Sequence, residues 1–169
     1  MPTIEINKYT PIYQNDVADL ILTIQQKEFN IPIDLAAQPD LQQIEQFYQN
    51  GNGNFWVAII DNNVAGTIAL LDIGNQQVAL RKMFVKAAYR GKEFGVGQAL
   101  LNTIFEWAKE KKLTDIYLGT AEILLAAHRF YEKNGFVEIE KTALPTAFPI
   151  MQVDTKFYKY TIYKQPALP

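Results

Sequence analysis

The segment from Phe55 to Lys86, FWVAIIDNNVAGTIALLDIGNQQVALRKMFVK, constrains the fold more than any other part of the chain. Its apolar and β-branched runs are broken by DNN and GNQ, residues that favour tight turns, so it predicts three strands joined by two hairpins. An antiparallel meander of this kind needs its apolar faces covered, and the flanking sequence supplies the cover.

In residues 15–29, NDVADLILTIQQKEF, the side chains Val17, Leu20, Ile21, Ile24 and Phe29 recur at helical spacing, and Asn15 or Asp16 is placed to cap the start. Two prolines in NIPIDLAAQPD interrupt before a second helical stretch, LQQIEQFYQN at 41–50, which stops at GNGN. A helical but broken region of this kind suits a mobile wall over a pocket. Residues 3–8, TIEINK, alternate as a half-buried first strand does.

After the meander and a glycine-rich stretch, an amphipathic helix is expected over 96–112, with Leu100, Leu101, Ile104, Phe105 and Ala108 on one face. A short strand at 114–120, a helix at 121–135 ended by Gly135 at a C-cap position, and strands at 136–140 and 152–163 complete the order. The expectation is an α/β (α+β) fold with a mixed, mostly antiparallel sheet flanked by helices, as a single domain over 1–169.

Composition narrows the chemistry. The net charge of -2 and scattered cations, apart from KEKK at 109–112, offer no field for nucleic acid. With no cysteine, disulfides and thiolate metal sites are excluded, and the single histidine, His128, rules out a multi-histidine metal site. The start MPTIEINKYT lacks the basic and apolar regions of a secretory leader, and no window approaches the roughly 20 apolar residues that span a bilayer. No membrane partner is expected, and the expected location is cytoplasmic. The apolar closing strand, KFYKYTIY, offers an edge for pairing with a second copy as a homodimer.

Residues 89–101, YRGKEFGVGQALL, lead from a strand into a helix. The first turn of a helix leaves N–H groups without partners and carries partial positive charge, so a glycine-lined approach there accepts an anion. Arg90 and Lys92 add formal charge, and Arg bonds phosphate through two parallel donors. The stretch is neither a P-loop, since no Gly-Lys pair is followed by a hydroxyl, nor a dinucleotide fingerprint, since Leu100 stands where a third glycine belongs. The alternative is a helix start whose glycines only permit tight packing.

MFVKAAYRGKEFGVGQALL, followed by TDIYLGT and AAHRFYEKNGF, resembles the GCN5-related N-acetyltransferases (GNAT) in order and spacing over residues 54–141. The family's pyrophosphate signature is [Q/R]-x-x-G-x-[G/A]. One register starts at Arg90 and ends at Gly95 with Glu93 at the first glycine position; a second runs from Lys92 to Gly97 and satisfies both glycines. The resemblance therefore implies that Arg90, Gly91, Lys92, Gly95, Val96 and Gly97 line the pyrophosphate of acetyl-CoA.

It further implies that strands at 80–86 and 116–120 splay apart to admit the pantetheine arm, with the backbone of Met83, Phe84 and Val85 pairing with it. The tyrosine of the family's Y-x-x-x-G-F motif, here Tyr131 in YEKNGF, would protonate the departing thiolate. A core aromatic is the alternative reading of Tyr131. Where the family often has an asparagine seven residues earlier, Leu124 stands here.

Glu122, with Glu28 as an alternative, is the candidate general base, and His128 a candidate contact to the CoA phosphates. No metal is implied. The acceptor implied is the amine of a small molecule or peptide, with a small amine or an amino-acid-like substrate preferred because no acidic cluster recommends a polycation or an aminoglycoside. Tyr48, Phe55, Trp56, Phe148 and Tyr158 are candidate walls, or core. A non-catalytic acyl-CoA-binding regulatory module, favoured by Glu93 and Leu124, is the alternative to an enzyme. A purely protein-binding domain would reduce the glycine and tyrosine motifs to structural punctuation.

Overall fold

A computed structural model describes residues 3–162; Tyr163, the last residue of the expected closing strand, and both ends of the expected 1–169 domain lie outside them. The strands are β1 (Glu5–Lys8), β2 (Asn54–Ile60), β3 (Asn63–Gly74), β4 (Gln77–Val85), β5 (Asp115–Thr120), β6 (Val137–Ile139) and β7 (Lys156–Thr161). The helices are α1 (Gln14–Thr23), α2 (Pro39–Gln42), α3 (Ile44–Tyr48), α4 (Val96–Glu110) and α5 (Leu125–Lys133). The strands form one sheet in the order β1-β2-β3-β4-β5-β7-β6, in which only the β4–β5 pair is parallel.

The meander forms as its turn chemistry dictates. Asp61 and Asn62 join β2 to β3, and Asn75 and Gln76 join β3 to β4, all four with positive φ. Two-residue hairpin loops of this handedness match the twist of the strands, and Asn and Asp tolerate them best. Gln76 is held there by hydrogen bonds to Lys112 O at 3.3 Å and from Asn52 Nδ2 at 3.1 Å.

Helix α4 packs under one face of the sheet. Leu100, Leu101, Ile104 and Ala108 are fully buried against Ala58, Ile68, Leu70 and Leu80, and Trp107 meets Trp56 edge-on at 5.3 Å. The opposite face is covered by α1 to α3 through Val17, Leu20, Ile21, Leu41 and Ile44, with Ile24 just past the end of α1.

The N-terminal region departs from expectation in three ways. A 3-10 turn at Pro11–Tyr13 feeds directly into α1, so neither Asn15 nor Asp16 caps it through a side chain. After Thr23 the helix widens into a π-turn, Ile24–Glu28, closed by Phe29 N–H to Ile24 O at 3.2 Å. That extra residue rotates the last turn, so Gln25 is buried and Phe29, expected in the core, is exposed. The helix expected over 41–50 is two short pieces broken at Gln43.

The expected 121–135 helix begins only at Leu125, and Gly135 takes up φ +93° just past its end, where Phe136 N–H reaches Tyr131 O at 3.0 Å. The closing strand is not an edge. β7 lies between β5 and β6, paired on both sides, so it cannot offer the free edge on which the homodimer expectation rested. Among the described residues, no helix is long and apolar enough to cross a membrane.

Candidate active site

The site begins where β4 and β5 part. Their parallel pairing covers only Gln77–Ala79 against Asp115–Tyr117, so beyond Ala79 and Tyr117 the two strands diverge. A bulge in β4 lies close by: the advance of two positions along β3 from Thr67 to Ala69 is matched by three along β4, from Phe84 to Arg81. Lys82 takes up φ +54° there, and its carbonyl accepts a hydrogen bond from Thr67 Oγ1 at 2.7 Å. Bulges re-aim side chains, and this one turns Lys82 inward under α2 and α3. Lys82 Nζ meets Gln38 Oε1 at 2.8 Å and Asp40 Oδ2 at 3.4 Å, and Tyr48 OH donates to the same Asp40 oxygen at 2.6 Å.

On one side of the divergence is a cavity of about 700 Å³ that ends on the first turn of α4. Met83 and Val85 form its strand wall, and Arg90, Gly91, Lys92, Gly95, Val96 and Gly97 its far end. Gly95 precedes the helix at φ +66°, and no side chain caps the N–H groups of the first turn. A β-carbon at Gly95 would meet nothing within 4 Å, and one at Gly97 only Met83 and Phe130 at 3.7 Å. The protein's own packing therefore does not require Gly97 to be small. Space is left above exposed amide donors, and the donor set fits a phosphate.

Glu93 does not line this cavity; its carboxylate folds back towards Gly91, 3.1–3.2 Å from where a β-carbon would stand. Arg90 is already engaged, donating through Nε to Val85 O at 2.9 Å and through both terminal nitrogens to Glu28 at 2.5 and 2.9 Å. Lys133, which the sequence reading missed, joins the same cavity from the end of α5.

On the other side is a cavity of about 730 Å³ between the 31–38 loop, β4 and the 148–154 loop. Its charged lining is Arg81, Lys82 and Asp154. Arg81 has no carboxylate within 4 Å among the described residues; its guanidinium reaches Met151 Sδ at 3.5 Å and lies over Phe47 and Tyr48. Of the expected aromatic walls only Phe148 lines this cavity. The other four are core: the alternation of β2 and β7 points Phe55, Trp56 and Tyr158 into packed faces, and Tyr48 at the end of α3 packs on Phe55.

A smaller cavity of about 300 Å³ lies at the divergence and shares Arg81, Lys82 and Asp154 with the second cavity and Met83 and Tyr131 with the first. Tyr131 is buried among Phe130, Phe136 and Tyr158, and burial pushes its phenol above its ordinary value of 10.0. Phe84 lines the second and third cavities, Met83 the first and third, and Val85 the first.

Two expected site residues are not brought here. Glu122 is exposed and lines none of these cavities. His128 shares a helix face with Tyr131 but is buried, its Nε2 2.8 Å from Ala121 O, and it does not line the cavity that ends on α4. Glu28 also lines none of these cavities and is bound to Arg90. Among the described residues, no group of three or more His, Asp or Glu is placed to hold a metal ion.

A mixed sheet whose parallel pair splays beside an uncapped helix start defines the acyl-CoA N-acyltransferase fold. The acetyltransferase (GNAT) family matches residues 18–136, and the chain belongs to it. It is 41% identical to a GNAT-family acetyltransferase from Staphylococcus aureus Mu50, whose crystal structure matches with a TM-score of 0.90 over 95% of this chain and 100% of that one. It is 37% identical over 111 residues to the N-acetylaspartate synthetase of Xenopus tropicalis, which covers 63% of this chain and 40% of that protein. The chain thus matches well under half the length of that relative. The N-acetylglutamate synthase of Neisseria gonorrhoeae, solved with coenzyme A and N-acetyl-glutamate, shares the fold at 13% identity and a TM-score of 0.74, over 96% of this chain and 36% of that one.

Proposed function

We propose that this chain transfers the acetyl group of acetyl-CoA to the primary amine of a small, carboxylate-bearing acceptor of amino-acid type, by direct attack of the amine on the thioester. The observation that carries this reading is the linking of two cavities through the smaller one at the β4–β5 divergence, one ending on the uncapped start of α4 and the other holding Arg81 without a carboxylate partner among the described residues. One relative points the same way, the N-acetylaspartate synthetase, whose name is that of an N-acetylated acidic amino acid.

In this scheme the N–H groups at the start of α4, with Arg90 and Lys92, take the pyrophosphate. The backbone of Met83, Phe84 and Val85, which has no partner strand on the β5 side, pairs with the pantetheine arm and polarises the thioester carbonyl. Tyr131, kept protonated by burial, gives its proton to the departing sulfur. Arg81 receives the acceptor's carboxylate, to which its fork of donors is matched. The alternative of a regulatory acyl-CoA-binding module loses the support it drew from Glu93, which lies outside the cavity lining.

The test is calorimetric titration with acetyl-CoA, followed by measurement of free thiol released in the presence of amino acids and simple alkylamines. One-to-one binding with thiol release driven best by amines that carry a carboxylate is expected. Binding without thiol release from any amine would overturn the catalytic reading.

A further inference from the structure

The reaction needs a group to take the ammonium proton, and the two carboxylates expected from the sequence are badly placed for it. Glu122 is exposed outside the cavities, and Glu28 is tied to Arg90. Asp154 is the one carboxylate among the described residues that lines the acceptor cavity, and it also lines the smaller cavity that contains Tyr131. It stands where those two spaces join.

Its position is built by the fold. Thr155 N–H bonds Thr120 O at 2.9 Å and Thr155 Oγ1 accepts Glu122 N–H at 3.0 Å, which fastens the loop to the end of β5. The carboxylate then lies directly over Gly119, where a β-carbon would fall 2.6 Å from Oδ2 and 2.7 Å from Cγ. Any larger residue on β5 at this point would expel it. Oδ2 accepts Met151 N–H at 2.9 Å, which leaves Oδ1 without a hydrogen-bond partner among the described residues. The charged and titratable groups that share its cavities are Arg81 and Lys82 from β4 and Tyr131 from α5; β5 and the start of α5 contribute none.

Resting on the function proposed above, we infer that Asp154 binds the acceptor's ammonium and is the base that deprotonates it, while Arg81 holds the carboxylate. The pocket thus selects zwitterionic amino-acid-like acceptors. Asp154 takes one proton from R–NH3+, and the nitrogen lone pair forms the C–N bond at the thioester carbon. The C–S bond breaks with its electron pair on sulfur, Tyr131 protonates that sulfur, and the second nitrogen proton returns to the Tyr131 phenolate. Asp154 releases its proton to water, so the cycle liberates one proton per acetyl transferred. Burial raises Asp154 above the ordinary carboxylate value of 3.8, in opposition to the Met151 N–H and Arg81, and makes it a better proton acceptor.

The experiment compares wild type with Asp154→Asn, whose amide oxygen still accepts Met151 N–H, in thermal melting, acetyl-CoA titration and the pH dependence of kcat/KM for the best amino-acid acceptor. Expected are an unchanged or higher melting temperature, unchanged acetyl-CoA affinity, and at neutral pH a loss of about 10²–10⁴-fold in kcat/KM. The wild-type acidic limb should give way in the variant to a rate that rises about tenfold per pH unit, because the variant uses only amine already neutral in solution. A variant within twofold of wild type and with the same profile overturns the role of Asp154 and leaves the proposed function standing. A wild type that binds acetyl-CoA but acetylates no amine overturns both.

Discussion

The guanidinium of Arg90 and the carboxylate of Glu28 form a two-point ion pair, 2.5 and 2.9 Å, that joins the π-turn after α1 to the loop before α4. The cation proposed above to meet the pyrophosphate is thus already occupied by a carboxylate from a distant part of the chain. Binding a phosphate through Arg90 means exchanging one anion for another. Both side chains are partly exposed, 43% and 29%, so the pair is worth about 0.2–1 kcal/mol. Glu28→Gln is expected to tighten acetyl-CoA binding by up to about fivefold by calorimetry, and weaker binding would show that Glu28 positions Arg90 instead of competing for it.

Gly95 is expected to separate backbone strain from anion binding. Its φ of +66° costs a residue with a β-carbon about 1–2 kcal/mol, while the space around it is open. Gly95→Ala should lower the melting temperature by several degrees with little change in acetyl-CoA affinity. Gly95→Asp should also weaken acetyl-CoA tenfold or more, because an aspartate at this position caps the α4 amides with its own carboxylate. Unchanged affinity in the aspartate variant would place the phosphates elsewhere.

Tyr131→Phe should leave the fold intact, since no protein group hydrogen-bonds the phenol among the described residues, and its ring contacts with Phe136 and Tyr158 remain. A fall of about 10²–10⁴-fold in kcat with unchanged acetyl-CoA affinity is expected. Because burial raises the phenol above 10.0, wild-type activity should show no loss from tyrosine ionisation up to pH 10. Equal turnover in the variant would return Tyr131 to a packing role.

Arg81→Met should raise KM for a carboxylate-bearing amine by about 10–100-fold, the worth of a charged hydrogen bond of about 1.5–3 kcal/mol. Transfer to an alkylamine without a carboxylate should change little. A similar loss with both acceptors, measured side by side, would remove the carboxylate-binding role.

Much of the fold and one end of the site were legible because they rest on local rules. DNN and GNQ dictated two-residue turns, the spacing of Leu100, Leu101, Ile104 and Ala108 dictated which side of α4 is buried, and Gly95 at a helix start needs only its own φ and the amides beside it. The acceptor side depended on contacts between residues far apart in the chain. Asp154 lies 35 residues beyond Gly119 yet occupies the space its missing side chain leaves, and Lys82 turns towards Asp40 only because β4 bulges against β3. Neither pattern has a periodicity to read. The insertion of β7 between β5 and β6, which removed an expected free edge, was likewise a choice of strand partner. A strand's own residues define its faces but not its neighbours, so local sequence determined the elements and the glycine-lined start of α4, while tertiary pairing alone decided which charges meet in the cavity that holds Arg81 and Asp154.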